Sequence, residues 1–341
     1  MADAGAREAG ASLIDVGGDP ERPAWVLLGR RSVTRHGFLP VRVVALNQTL
    51  DPMLDQPWIE RNGFFGSSPD RFGFDLDCLL QRLATDPWWD EIRLPGLDED
   101  VLPQVRDVAR RHRLRLRSDL EVPRYSIDLA RLRSRHSDSF LAGLSANARQ
   151  QLRSSRRRIE RDHGALRLDQ TLDLREASAW LDAAGAWHLE RWGPSSGANV
   201  PASGFANPTF VDFHRRLVSA ALPAGRIQLL RIAAGDRVFA YLYNFVTNGR
   251  VEFYLSGIDY TVGEPSRPGL LAHWLAVEHA LSAGMDAYDF LGGEARYKRT
   301  LSDCIDRMTW VTLERPRLRL HAERAGRALK RRIRTRGGGA S

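Results

Sequence analysis

The sequence predicts a mixed α/β fold arranged in two halves. Three observations carry that expectation. The chain has 341 residues, more than one hydrophobic core usually supports. Strand-like and helix-like runs alternate along its first half, and its second half holds a three-strand meander that leads into an amphipathic helix.

In the first half, Ala24 to Leu28 and Val41 to Leu46 read as strands, Leu76 to Ala84 as an amphipathic helix and Glu91 to Leu94 as a strand. Val101 to His112 follows as a helix and Leu114 to Arg117 as a strand. The polar stretch from Arg131 to Phe140 lacks apolar periodicity, so a boundary is expected there. The second half opens with Ser145 to Arg161, which has a Ser start, no Gly or Pro, and arginines recurring at helical spacing. A strand at Leu166 to Gln170 and helices at Leu174 to Trp192 and Pro208 to Leu222 come next.

Arg226 to Ile232, Arg237 to Thr247 and Arg250 to Ile258 are separated by hairpin signals, Ala-Gly-Asp and Asn-Gly, and should pair antiparallel. Then follow a loop from Asp259 to Arg267, a helix from Pro268 to Ser282, a strand at Ala287 to Leu291, a helical turn at Glu294 to Leu301 and a last strand at Met308 to Leu313.

Composition narrows the function. The net charge of +8 is local: residues 315–341 hold ten basic residues and one acidic, Glu323, while the remainder nets −1. A basic C-terminal tail is therefore expected, solvated or touching anionic lipid, RNA or an acidic partner. Two cysteines, Cys78 and Cys304, lack ligand spacing, so neither a disulfide framework nor a metal site is predicted. No signal peptide or membrane span is read, which makes a cytoplasmic protein the expectation, with peripheral contact at the inner face of the membrane open through the tail. No nucleophile elbow or Walker loop is present, so hydrolase and nucleotidase readings lose ground.

Two places invite chemistry. The helix opening at Ser266, Arg267, Pro268, Gly269 and Leu270 offers unpaired N–H groups at its positive end, a Pro suited to the first turn and a Gly that admits an anion. Arg267 can add a charge-assisted contact. Downstream, Asp289 lies on the side of its strand away from Tyr288 and Phe290, and Glu294 follows Gly292-Gly293; either carboxylate can serve as a general base. Only two of the 50 basic residues are lysines, Lys298 and Lys330, so a compact ammonium outside the tail asks for a chemical reason.

The order of elements resembles the GNAT acyltransferase superfamily. Leu144 to Arg149, His188 to Trp192, Ser266 to Leu270 and Tyr288 to Lys298 together resemble its FemAB-like or BioF2-like acetyltransferase branch, the cellulose-biosynthesis-associated type. That resemblance covers Leu141 to Leu313 and implies two GNAT-like modules. Residues 1–20 would be a flexible N-terminus, 21–135 a degenerate module, 136–314 the catalytic module and 315–341 the tail.

It implies acyl transfer from a thioester donor, acyl-CoA as co-substrate, to a small-molecule or cell-envelope-precursor amine or hydroxyl, without a metal. Lys298 would face the donor phosphate or the developing oxyanion, and Asp289 or Glu294 would deprotonate the acceptor. Tyr254 and Tyr297 would border the donor, and Arg149, His188, Arg191 and Trp192 the acceptor. The loop departs from the longer Arg/Gln-x-x-Gly-x-Gly/Ala pattern, which leaves an aminoacyl-tRNA-dependent Fem-type peptidyltransferase as the alternative, and a non-catalytic GNAT-like binding module as a further one.

Overall fold

The computed structural model describes residues 10–17, 19, 21–57, 60–136, 139–193, 202–262 and 267–326. The chain forms two compact units. One contains residues 1–51, 59–121 and 308–341, the other residues 52–58 and 122–307. The expected boundary near residues 131–140 thus falls inside the second unit. The last strand was expected to close the second half, yet from Met308 onward it groups with the first unit.

The first unit is built on strands β1 (Ala11–Asp15), β2 (Trp25–Arg35), β3 (Leu39–Leu46) and β4 (Glu91–Asp98), with β5 (Arg115–Asp128) up to Glu121 and β11 (Cys304–Glu314) from Met308. Their order is β1-β2-β3-β4-β11-β5. β3 and β4 are parallel, as the intervening helix requires, and the hairpin β2–β3 is antiparallel. β1 lies within residues expected to be flexible; five residues pair antiparallel with β2, a segment too short to announce itself by pattern.

Helix α1 (Phe72–Ala84) buries Phe72, Leu76, Leu79, Leu80 and Leu83, and α2 (Leu102–Arg111) buries Val105, Val108 and Ala109. Both faces join one core with Leu28, Ile92, Leu94, Val311 and Leu313. Each such aliphatic side chain contributes about 1.5–3 kcal/mol when fully buried.

Elsewhere in this unit the described start of the tail packs onto the sheet. Residues 318–326 are helical, Leu320 packs on Val41 and Val43, Arg319 pairs with Asp90, and Arg324 reaches Glu314 at 2.8 Å. The other tail positions, residues 327–341, lie outside the described residues.

The second unit carries the order β5-β10-β9-β8-β7-β6, with β6 (Leu166–Gln170), β7 (Ile227–Ala234), β8 (Arg237–Thr247), β9 (Arg250–Ile258) and β10 (Ala287–Gly292). The meander β7-β8-β9 is antiparallel, as its turn signals predict. Residues expected to form a polar linker include helix α3 (Leu129–His136), and a short turn α4 (Phe140–Gly143) follows.

Helices α5 (Ala146–His163) and α8 (Pro268–Ser282) bury Leu152, Ile159, Leu271 and Val277 in a core with Leu230, Leu242 and Val251. Helices α6 (Leu174–Trp192) and α7 (Pro208–Ala221) bury Leu181, Phe210 and Val218 with Leu229, Tyr241 and Tyr243. Adjacent strand residues therefore serve opposite faces, which is the period-two signature of a sheet covered on both sides. One last helical turn, α9 (Arg296–Leu301), precedes β11.

Candidate active-site cleft of the second unit

Two irregularities open a cleft in this sheet. β9 and β10 are parallel neighbours at Ala287 with Arg250, Tyr288 with Val251 and Asp289 with Glu252, and their pairing runs no further although β9 continues to Ile258. In addition, Tyr243 faces Leu255 while Asn244 faces Phe253, which makes Tyr254 the extra residue of a bulge. The bulge resets the alternation. Val251 and Phe253 join the core under α8, Leu255 turns to the core under α6 and α7, and Ser256 and Ile258 come back to line the cleft.

α8 points its N-terminus into this opening. Its N-cap, Arg267, sits in the left-handed region at φ 45 and ψ 58 and makes no side-chain cap. The unit's other long helices are capped by Ser145, Asp173 and Asn207. The first N–H groups of α8 therefore keep their donor capacity and the positive end of the dipole. Pro268 occupies the first turn, and a Cβ added to Gly269 would stand 3.9 Å from Ile258 Cγ1 and from the Tyr260 hydroxyl, within the cavity itself.

The cavity has a volume of about 570 Å³, and Gln151, Arg191, Tyr260, Arg267 to Leu270, His273, Arg296, Tyr297 and Thr300 are among its walls. Three guanidiniums and no carboxylate line it among the described residues. Arg267 Nη1 donates to Gln151 Oε1 at 2.5 Å, and the Arg191 guanidinium lies 4.7 Å from the centre of the Tyr260 ring.

His273 forms the floor. It is 3% exposed, stacks on Tyr297 with ring centres 4.7 Å apart and planes 4° from parallel, and meets Phe253 and Phe290 edge-on. Its Nδ1 has no hydrogen-bond partner among the described residues. Burial, with repulsion from the Lys298 ammonium added, pushes its pKa down to about 3, so the ring is neutral at physiological pH. Lys298 itself is 9% exposed and donates from Nζ to the Gly292 carbonyl at 2.6 Å.

Of the residues singled out in the sequence, Arg191, Arg267, Pro268, Gly269, Leu270 and Tyr297 meet at the cleft, while Ser266 lies outside the described residues. Lys298 sits beside the cleft rather than in its wall. Asp289 is fully buried. Its Oδ2 accepts from Arg124 and Arg250, and its Oδ1 from the N–H of Leu291, a residue held at φ 59. That is the geometry of a brace for the β10 bulge and not of a base in reach of an acceptor. Glu294 is exposed and paired with Arg299 at 3.0 Å.

Tyr254 belongs to the aromatic cluster under α7: the His214 Nδ1 and Nε2 atoms lie 3.3 and 3.2 Å from the Tyr243 and Tyr254 hydroxyls. Arg149 donates to the Leu144 carbonyl at 2.6 Å, and His188 Nδ1 lies 2.8 Å from the Ser203 hydroxyl. Trp192 is 59% exposed near His188. None of these four lines the cavity. Sequence reading missed Gln151, Tyr260, His273 and Arg296; the one signal for His273 was a histidine within the apolar run of α8.

The architecture is that of a GNAT-like fold. Residues 146–299 match the family model described as an acetyltransferase (GNAT) domain, a stretch that takes in α5, the meander, α8 and β10. Among solved structures, FemX matches with a TM-score of 0.54 at 10% identity, over 88% of this chain and 87% of that one. The C-terminal domain of a putative lysylphosphatidylglycerol synthetase from Agrobacterium fabrum matches at 0.53 and 10% identity, over 93% and 88% of the two chains. A conserved protein of unknown function from Bacteroides thetaiotaomicron matches at 0.52 and 10% identity, over 85% and 83%. At these identities the likeness is one of fold. No curated protein matches the sequence.

Among the described residues, no group of three or more metal-ligating side chains converges, and no helix is long and apolar enough to cross a membrane.

Proposed function

We propose that the chain is an acyltransferase whose donor, an acyl-CoA, binds in the cleft between β9, α8 and α9. The observation that carries this reading is the uncapped start of α8, opening with Pro268-Gly269 into a cavity walled by three arginines. Phosphate groups of the donor lie on the N–H groups of Gly269 and Leu270, with Arg267, Arg191 and Arg296 around them. The thioester reaches inward to the place where β9 and β10 part, above His273 and Tyr297.

An acceptor amine or hydroxyl attacks the thioester carbon, and the carbonyl oxygen gains negative charge. Lys298 stabilises that charge through its field, and the neutral His273 ring through a hydrogen bond. Collapse expels the CoA thiolate. Of the two carboxylates considered, Asp289 is withdrawn from the role of base by Arg124 and Arg250. Glu294, exposed two residues before the cleft-lining Arg296, is assigned the acceptor's proton. A cell-envelope precursor as acceptor remains part of the proposal.

A titration of the purified protein with acetyl-CoA and longer acyl-CoAs, followed by thermal unfolding and by thiol release, tests this. Saturable stabilisation that needs about tenfold more ligand in Arg267→Asn and in Arg296→Gln is the expected result; stabilisation by none of them overturns the acyl-CoA donor.

One observation favours a second donor. Arg153 and Arg157 are exposed on α5, the helix that also supplies Gln151 to the cleft, and such a face suits the phosphates of an aminoacyl-tRNA. Steeply salt-dependent tRNA binding, with aminoacyl transfer and no thiol release, would replace the first reading with this one.

A further inference from the structure

The first unit holds a cavity of its own, of about 300 Å³, at the place where β3 and β4 part. Their parallel pairing ends at Ala45 with Arg93; β3 stops at Leu46, while β4 runs on to Asp98. Gln48, Arg93, Pro95, Arg117, Asp119 and Trp310 line the opening.

The ion pairs around it are unevenly shared. Arg117 pairs with Glu314 and with Asp119, whose other oxygen accepts from the Thr312 hydroxyl at 2.5 Å. Arg35 binds Glu91 through two bonds of 2.7 and 2.6 Å. Arg93 stands among them, half-buried, and its guanidinium has no hydrogen bond or ion pair among the described residues. Burial, opposed by Glu91 and Asp119 and aided by Arg35 and Arg117, holds its pKa below the ordinary arginine value. A partly desolvated guanidinium whose N–H groups have no bonded acceptor costs stability, and folds keep such groups where a ligand supplies the acceptor.

We infer that Arg93 is the anchor of a second ligand site, one that takes a small molecule bearing a single carboxylate. Arg117 and Asp119 in the cavity wall engage each other, which leaves the Arg93 guanidinium as the wall's charged group without a bonded partner among the described residues. A monocarboxylate meets it in the planar, two-bonded geometry a guanidinium favours, whereas a dianionic phosphate would also face Asp119. The Gln48 amide can donate to the same carboxylate, and Trp310 and Leu120 offer an apolar wall for the rest of the molecule. The site shares no residue with the cleft of the second unit and does not depend on what that cleft binds.

Benzoate and acetate are the probes, followed by ligand-observed NMR titration of the full chain. Saturable benzoate binding is expected, at least tenfold weaker in Arg93→Gln, partly retained in Arg93→Lys and unchanged in Arg296→Gln, which alters only the second unit. Because the native residue is an unmatched cation, Arg93→Gln should melt at the wild-type temperature or above it.

Equal binding by wild type and Arg93→Gln, or no saturable binding by wild type, overturns the inference. So does a melting temperature several degrees lower in Arg93→Gln, which would make the arginine a structural one. Displacement of benzoate by inorganic phosphate more readily than by acetate overturns the assignment of the ligand class.

Discussion

Arg124 grips Asp289 through Nε at 2.9 Å and Nη2 at 2.6 Å in the interior of the second unit, joining β5 to β10 beside the bulge. Arg250 adds a third bond at 3.1 Å from β9. One carboxylate thus ties three adjacent strands together. Asp289→Ala removes the acceptor of three guanidinium hydrogen bonds from a buried position, and the expected loss is about 3–5 kcal/mol. Chemical denaturation measures it. A general base would instead lose turnover with stability intact, so an Asp289→Asn variant as stable as wild type but inactive would restore the catalytic role.

Lys298 should show the opposite pattern. Its ammonium is held to the Gly292 carbonyl at the end of β10, so Lys298→Met removes one bond and one charge and leaves the strands in place. We expect kcat to fall about tenfold, less than the loss on removing a donor bonded directly to the oxyanion because the ammonium acts through its field, with KM little changed. Steady-state kinetics beside a melting curve separates this from simple unfolding.

At the mouth of the cleft, Arg267 combines a left-handed backbone with a charge. Arg267→Asn keeps a residue that tolerates φ 45 and removes the guanidinium. KM for an anionic donor should rise about tenfold, and its dependence on salt should weaken, while kcat stays close to wild type. A donor titration at two ionic strengths reads both effects.

Acid should unfold the second unit. Burial holds His214 at about 4 and His273 at about 3, against 6.5 for the free side chain, so between those values the unfolded chain binds protons that the folded chain refuses. Stability is whole above about pH 6.5 and declines as the pH falls toward the folded values, by about 1.4 kcal/mol per pH unit for each histidine. His273→Phe should flatten this slope. A slope identical to that of wild type between pH 6 and 4 would show that the ring is not held neutral.

Several elements of the second unit were readable because strong local signals bound them. Asp173 and Gly193 bracket α6, Pro268 opens α8, and Asn248-Gly249 turns β8 into β9, so those bounds follow from capping and turn chemistry alone. The rarity of lysine drew attention to Lys298, which is buried and bonded to the Gly292 carbonyl at the end of β10. What could not be read is whatever depends on distant partners. Asp289 looks outward-facing in its strand, yet its counter-ion comes from 165 positions earlier. Tyr254 looked like a cleft residue until the bulge turned it toward His214. The wall formed by Gln151, Tyr260 and Arg296 exists only once α5, the end of β9 and α9 converge, and no spacing in the sequence announces that.

The division of β5 and β11 between the two units also sets an order of events during synthesis. Val311 and Leu313 belong to the same core as Leu28 and Ile92, and β11 pairs with β4, so the earliest-made strands wait for some of the last-made ones. A ribosome must deliver all of residues 122–307 before the first unit can close. The second unit, with nearly all its sheet contiguous in the chain, is free to fold first. A released chain truncated at Arg307 should therefore already protect the second unit from protease while leaving residues 21–121 open to it.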